Sequence, residues 1–431
     1  MSWACDQALT STILDSYQVV GPLFVQTLQT FFAAQCALTG DHLWPEDATQ
    51  KVIDDPDYDF IVVGAGSAGS VVANRLSENP QWKVLLVEAG GNPTLSTEMP
   101  QLFYSNLGSP TDWDYQTQPQ EGACRGYKNK GCAWPRGKVL GGSSSINAMF
   151  CVRANKADYD QWAADGNYGW SHEEVLPYFR KTEKIHGNIP EQNKKYHGED
   201  GPLKVVVPEP HELEKMIIQA ATELGLRNLT DINADDQMGT LATHTNIYNN
   251  HRFGTSRAYL NPAAQRKNLH VMKNAHATKL LIKSGTNRVN GVLIHKDGKD
   301  VSVNVKKEVI ASGGSINTPQ LLMLSGIGPK EHLNKMGIEV KADLPVGQNL
   351  QDHVFVPILY SKPGDTNSFP LPNIVGALAQ YILQGEGPLK DTSPHRVISF
   401  VNTTDPTSTV PDIQYHYLVM PPGLFNMLDV F

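Results

Sequence analysis

A short apolar strand that runs straight into three spaced glycines leaves a chain few folds to choose from. Tyr58-Asp-Phe-Ile-Val-Val63 is β-branched and apolar, and Gly64-Ala-Gly66-Ser-Ala-Gly69 follows at once. Residues Ser67 to Ser77 then place Ala68, Val71, Val72 and Leu76 at helical spacing, and Lys83-Val-Leu-Leu-Val87 is a second apolar run. Two buried strands joined by a helix form a βαβ unit, so the core sheet is expected to be parallel and doubly wound, an α/β fold. Each glycine then has a task. The first permits the tight turn, the second lets backbone approach a pyrophosphate, and the third lets the helix pack closely on the strand. Glu88 follows the second strand, where an acid accepts both ribose hydroxyls of an adenosine and repels a 2′-phosphate. Gly64, Gly66, Gly69 and Glu88 are therefore candidate dinucleotide-binding residues, and this unit alone leaves NAD and FAD both open.

Composition narrows the class. The 431 residues are 40% apolar and 19% charged, enough for two or three cores and unlike a disordered chain. A net charge of −8 supplies no basic surface for phosphates, which argues against a nucleic-acid partner. No membrane span is expected: the one long apolar stretch, Val19 to Leu38, is broken by Gln26, Gln29 and Gln35. It reads as a helix packed on the body, with a cleaved signal peptide as the alternative, although no Lys or Arg precedes Lys51. The five cysteines form no CxxC pair and no metal-ligand cluster, so no metal is expected. Cys124 and Cys132 enclose a short polar loop that suits a disulfide in an oxidising compartment. Two sequons, Asn228-Leu-Thr and Asn402-Thr-Thr, agree with secretion. An extracellular location is expected, with a cytoplasmic one as the alternative.

Along the chain, residues 40–56 are polar, contain two prolines and read as a linker between an N-terminal extension and the body. Trp162 to Lys184 and His211 to Leu224 carry helical spacing, with Gly187 to Pro202 a polar loop between them. Leu269–Met272, Lys279–Ile282, Gly291–Ile294 and Val301–Val305 read as an antiparallel β-meander feeding a third parallel strand, Glu308–Ala311, and a helix beginning near Pro319. Further strands are expected near Val354–Tyr360, Arg396–Asn402 and Asp412–Val419.

Arg136-Gly-Lys-Val-Leu-Gly-Gly-Ser-Ser-Ser-Ile-Asn147 gathers backbone N–H groups and hydroxyls at one place. On residue type alone it is either a flexible loop or a segment that wraps a phosphate or the polar edge of a flavin. Gly137 to Asn147, continuing through Ala148-Met-Phe-Cys-Val-Arg-Ala, resembles the first signature of the glucose–methanol–choline (GMC) oxidoreductases. Gly314-Ser-Ile-Asn-Thr-Pro-Gln-Leu-Leu-Met-Leu-Ser-Gly-Ile-Gly328 resembles the second, and Asp343-Leu-Pro-Val-Gly-Gln-Asn-Leu-Gln-Asp-His353 follows. The resemblance runs from about Tyr58 onward and is strongest to the insect branch that includes FAD/quinone glucose dehydrogenases.

That resemblance implies an FAD-dependent oxidoreductase that removes hydride from a CH–OH donor, an alcohol or sugar, and passes electrons to a quinone-like acceptor or oxygen. It places the FAD pyrophosphate at Gly64, Gly66, Ser67 and Gly69 and the ribose at Glu88. Arg136, Val139, Gly142, Ser143 and Asn147 would line the path to the isoalloxazine, and backbone groups of Ala277 or Thr278 would meet the adenine. Ile146 stands where some relatives carry a histidine attached to FAD, so the cofactor is expected to be non-covalent. The implied domains are an extension over 1–56, an FAD-binding domain over 57–155 and 236–352, and an incomplete α+β substrate domain over 156–235 and 353–431. The family's catalytic histidine and its partner belong to a C-terminal segment not matched before Phe431, so the catalytic residues stay unassigned. His353 belongs to a different motif, and His244, His251 and His416 read as core or surface residues. Two other readings stay open: a truncated FAD-binding paralogue without catalysis, and an NAD-dependent dehydrogenase, which leaves both long signatures unexplained.

Overall fold

The computed structural model describes residues 36, 39–127, 130–283, 285–358, 360 and 374–418. Except for Cys36, the apolar stretch Val19–Leu38 lies outside them, as do Val419 and the residues through Phe431. The chain clusters into two compact units, one of residues 1–95, 105–146 and 255–368, the other of residues 96–104, 147–254 and 369–431.

In the first unit, α1 (Thr49–Asp54) leads into β1 (Asp57–Val63), α2 (Ser67–Leu76) and β2 (Val84–Val87). Later segments add β3 (Leu269–Met272), β4 (His276–Ile282), β5 (Val289–Lys296), β6 (Lys299–Ala311) and α3 (Gly314–Leu324). The six strands form one sheet in the order β3-β2-β1-β6-β5-β4. Side chains alternate across it. Ile61, Val63, Leu85 and Val87 pack on one face with Val52 of α1 and Leu321 of α3, while Phe60, Val62, Val84 and Leu86 pack on the other with Ala73 of α2. Both faces are covered, which is the condition under which a parallel sheet is stable.

Several sequence expectations shift here. Leu269–Met272 is not part of the meander: β3 runs parallel to β2, with Leu269 opposite Val84 and Met272 opposite Val87. Its side chains are divided between the two apolar faces, so nothing in the run marks an exposed side. Glu308–Ala311 is not a separate strand but the end of β6, which pairs antiparallel with β5 through Asn304 and parallel with β1 from Asn304 to Ala311. The third helix starts at Gly314, and Pro319 lies inside it.

Residues 40–56 are not a linker. Asp47 bridges Val271 at the free edge of β3, the Ala48 N–H donates to the Val271 carbonyl at 2.8 Å, and Trp44 and Val52 are fully buried. The Lys296 ammonium meets Asp47 Oδ2 at 2.9 Å, and the Lys273 ammonium donates to the Pro45 carbonyl. The segment thereby closes a sheet edge that would otherwise expose unpaired backbone groups.

The second unit holds a three-stranded antiparallel sheet of Ile413–His416, Val397–Val401 and Gly239–Ala242, with the helix Glu212–Glu223 packed on it through Ile218. Residues 236–254, grouped with the cofactor-binding segments in the sequence reading, cluster with this unit because Gly239–Ala242 pairs with Val397–Phe400. The helix expected over Trp162–Lys184 is two helices, Lys156–Ala164 and His172–Thr182. Gly166 and Gly169 take left-handed φ angles of 97° and 90° between them, and Ser171 with Glu174 forms a capping box that restarts the helix. Residues 354–358 form no strand, and Val354, Phe355, Val356 and Ile358 are exposed.

Candidate dinucleotide-binding site

The turn after β1 is built by its glycines. Gly64 has φ of 93°, and a Cβ on Gly69 would lie 1.9 Å from the Gly64 carbonyl oxygen, so α2 approaches the strand as only glycine allows. Gly66 differs. A Cβ there would meet nothing nearer than Gly142 Cα at 4.0 Å, so the protein's own packing does not demand a glycine at this position. Space is left over the N-terminus of α2, where Ser67 is exposed, and a helix N-terminus favours negative charge.

Glu88 lies beside this turn, 5% exposed. Its Oε2 accepts from the Ala65 N–H at 2.8 Å and its Oε1 from the Gly90 N–H at 2.9 Å. Burial pushes its pKa up to about 7, and the N–H groups of Gly90 and Ala65 hold it from rising further. Each oxygen keeps a lone pair for a hydroxyl donor.

Arg136 to Ser143 closes on the same turn. The Gly141 N–H donates to the Ala65 carbonyl at 2.8 Å and the Leu140 N–H to the Gly91 carbonyl at 2.9 Å, while Val139 is fully buried. Gly142 takes φ of 53°, and a Cβ on it would sit 2.7 Å from Gly66 Cα. Two glycine-rich segments far apart in sequence therefore meet backbone to backbone. Ser143 Oγ accepts from the Gly137 N–H at 3.2 Å, which orients its hydroxyl within the loop. The Arg136 side chain lines a cavity of about 450 Å³ with Trp134, Ser315, Ile316, Asp352 and His353. Ser315 and Ile316 of the second long motif thus face the same space as Arg136, which immediately precedes the first.

Ala277 and Thr278 lie in β4, and the register shifts between Ala277 and Lys279, leaving Thr278 as a bulge. The Ala275 N–H donates to the Glu88 carbonyl and the Asn274 N–H to the Gly90 carbonyl, which ties this segment to the strand end that carries Glu88. Asn147 opens the second unit, where its Oδ1 accepts from Arg252 Nη1 at 2.8 Å and from the Met149 N–H at 3.1 Å. Ile146 is buried.

Three supporting residues were not singled out from sequence. Asp112 accepts from the N–H groups of Gly108, Asp114 and Arg136, so it shapes the loop entering the glycine-rich segment. Ser312 Oγ donates to the Val63 and Gly64 carbonyls, and Asn317 Nδ2 donates to Tyr115 Oη at 2.6 Å. The contacts of Ser312 and Asn317 span 249 and 202 residues along the chain and have no local signature.

The second unit contains a separate charged cluster. His197, 2% exposed at its side chain, places Nδ1 3.0 Å from Glu183 Oε1 and Nε2 3.0 Å from Asp231 Oδ2. Arg153 pairs with the other oxygen of Glu183, and Asn193 donates to Asp231. Burial alone would push His197 down, but its hydrogen bonds to Asp231 and Glu183 outweigh that and hold it up to about 9. His244 is fully buried beside it, and burial lowers its pKa. His416 is exposed, and no described histidine stands in a position that assigns it the catalytic role. Among the described residues no group of His, Cys, Asp or Glu could hold a metal ion, and no helix is long and apolar enough to cross a membrane.

Comparison with known proteins gives one consistent answer. The family description GMC oxidoreductase matches residues 58–355. The chain is 43% identical over 341 residues to glucose dehydrogenase [FAD, quinone] of Drosophila pseudoobscura pseudoobscura, covering 77% of this chain and 53% of that protein. It is 40% identical over 373 residues to oxygen-dependent choline dehydrogenase of Photobacterium profundum, covering 84% and 63%. Among solved structures, pyridoxine 4-oxidase from Mesorbium loti is similar with a TM-score of 0.62 at 32% identity, over 67% of this chain and 55% of that one. The chain thus spans about half the length of the insect relative it matches.

Proposed function

This chain belongs to the GMC oxidoreductase family, and from that membership we propose that it binds FAD non-covalently and serves the oxidation of CH–OH donors, alcohols or sugars, with a quinone-like electron acceptor. The observation that carries the reading is the meeting of Gly66 and Gly142 beside buried Glu88. Gly66 has room for a side chain and lacks one, which fits a backbone kept bare for a bound pyrophosphate rather than for packing. Gly64, Ser67 and Gly69 shape and present the α2 N-terminus to that pyrophosphate, and Glu88 accepts from the adenosine ribose. Backbone groups of Ala277 or Thr278 would meet the adenine, while Arg136, Val139, Gly142, Ser143 and Asn147 would lead toward the ring system.

When bound, FAD supplies a hydride acceptor, chemistry that no side chain provides. The protein's residues bind and orient it, and a carboxylate at Glu88 disfavours a phosphorylated ribose. An extracellular location accords with the Cys124–Cys132 disulfide present in the structure.

Titration of the purified chain with FAD, read by flavin fluorescence, is expected to saturate with one equivalent, and E88A is expected to weaken binding at least tenfold. Binding of NAD but not FAD would overturn the reading. Anaerobic addition of alcohols, sugars and choline to the loaded protein then tests turnover: bleaching of the flavin band supports oxidation, and its absence with all donors favours FAD binding without catalysis.

A further inference from the structure

The two sequons differ in the fold. Asn402 is spoken for: its Nδ2 donates to the Val410 carbonyl at 2.8 Å, and its Oδ1 accepts from the Thr404 hydroxyl and from the N–H groups of Thr404 and Asp405. The Thr404 hydroxyl that completes the sequon is used within that turn. Asn228 is exposed, and its carboxamide makes no hydrogen bond among the described residues. Its backbone is nevertheless fixed, because the Thr240 N–H donates to the Arg227 carbonyl and the Leu229 N–H to the Thr240 carbonyl, both at 2.8 Å. Asn228 also lines a groove of about 520 Å³ within the second unit, whose other walls include Val207, Pro208, Ile218 and Leu229 with Lys215 and Gln219. Apolar walls with a few convergent polar groups suit a pyranose, which presents an apolar face and a rim of hydroxyls.

We propose that Asn228 carries an N-linked glycan and that the groove beside it seats the sugars next to the protein. The attachment bond forms between Asn228 Nδ2, which gives up one proton, and C1 of an oligosaccharide. The lipid pyrophosphate that carried the sugar leaves with the bonding electron pair, and the lipid-linked donor and its transferase belong to the secretory pathway. Asn402, held in its turn, is the poorer acceptor. The proposal rests on the extracellular reading, so the test is arranged to separate the two.

The chain is expressed in insect cells behind a heterologous signal peptide, which makes acceptor use independent of its natural location. Peptide mass analysis is expected to find glycan on Asn228; N228Q removes most of the glycan mass and N402Q little of it. Seating is read by peptide:N-glycosidase, which is expected to release the glycan at least tenfold more slowly from native than from denatured protein. The surface variant K215A/Q219A is expected to recover most of that rate with an unchanged circular dichroism spectrum. Secreted protein bare at Asn228 would overturn the proposal, and equal release from native and denatured protein would overturn the seating. Immunolocalisation of the native protein inside cells would refute the extracellular reading while leaving the acceptor result intact.

Discussion

The glycine cradle of the first unit and the charged cluster of the second are both buried, yet they are held by opposite means. At Gly64, Gly69 and Gly142 a side chain would strike backbone, and the controlling quantity is the volume of one missing methyl group, while Gly66 beside them has that room to spare. Around His197 the contacts are between ionised side chains from separate segments, and the controlling quantity is the number of charges that balance. A site meant to receive a ligand leaves space and unused donors. A cluster meant to hold a fold together uses up its polar groups on itself. The first pattern describes the cradle and the second the His197 cluster, which is why the cradle is assigned to binding and the cluster to structure.

Substitutions can break that contrast. The largest effect is expected at Gly69, where the Cβ of G69V would collide with a strand-end carbonyl that cannot move aside. Loss of more than about 4 kcal/mol of stability is expected, enough to leave little folded protein, as read by the chemical denaturation midpoint. A G69V chain that folds normally would mean that the close helix–strand approach is not required.

Next comes Glu183. E183Q keeps the shape but removes the carboxylate that pairs with Arg153 and leaves His197 with Asp231 alone. A loss of about 3 kcal/mol is expected from denaturation at neutral pH, because a buried charge without its partner keeps its desolvation penalty. FAD affinity of the folded fraction is expected to change little, since this cluster lies outside the residues proposed to bind FAD.

A smaller effect follows pH. Folded His197 holds its proton more tightly than a free histidine of pKa 6.5, so its contribution to stability is fully present below that value and is lost as pH rises through about 9. Thermal melts between about pH 7 and about pH 10 are expected to show a decline in the wild-type chain that is flatter in H197Q. Parallel profiles for the two proteins would show that His197 does not carry the charge assigned to it. Asp231 and Glu183 bond to this ring, His244 lies beside it and Arg153 pairs with Glu183, so the comparison with H197Q, rather than the raw profile, isolates it.

What the sequence made legible follows the same divide. The β1–α2–β2 unit, its glycines and Glu88 were readable because strand, turn and helix are local patterns, and the helix Glu212–Glu223 was readable from its spacing. The placing of Leu269–Met272 failed because a short apolar run has the same appearance in a parallel and an antiparallel sheet, and only its partner β2 decides. Residues 40–56 looked like a linker because polar residues and prolines dominate them, while the contacts that anchor them, Asp47 to Lys296 and Ala48 to Val271, are more than two hundred residues away in sequence. The break between the helices at Gly166 and Gly169 was written locally, in two glycines and the Ser171–Glu174 box. The His197 cluster had no such trace, since Arg153, Glu183, His197 and Asp231 are unremarkable until the fold gathers them.

Gly66 is the position where binding and packing part most cleanly, because its φ of −74° is open to any residue and its Cβ position is vacant. The decisive measurement is therefore the FAD dissociation constant of G66A set beside its denaturation midpoint. A cradle shaped for a pyrophosphate predicts affinity reduced at least tenfold, with stability within about 1 kcal/mol of the parent chain. Unchanged affinity, or a loss of stability that accounts for the lost binding, would contradict it.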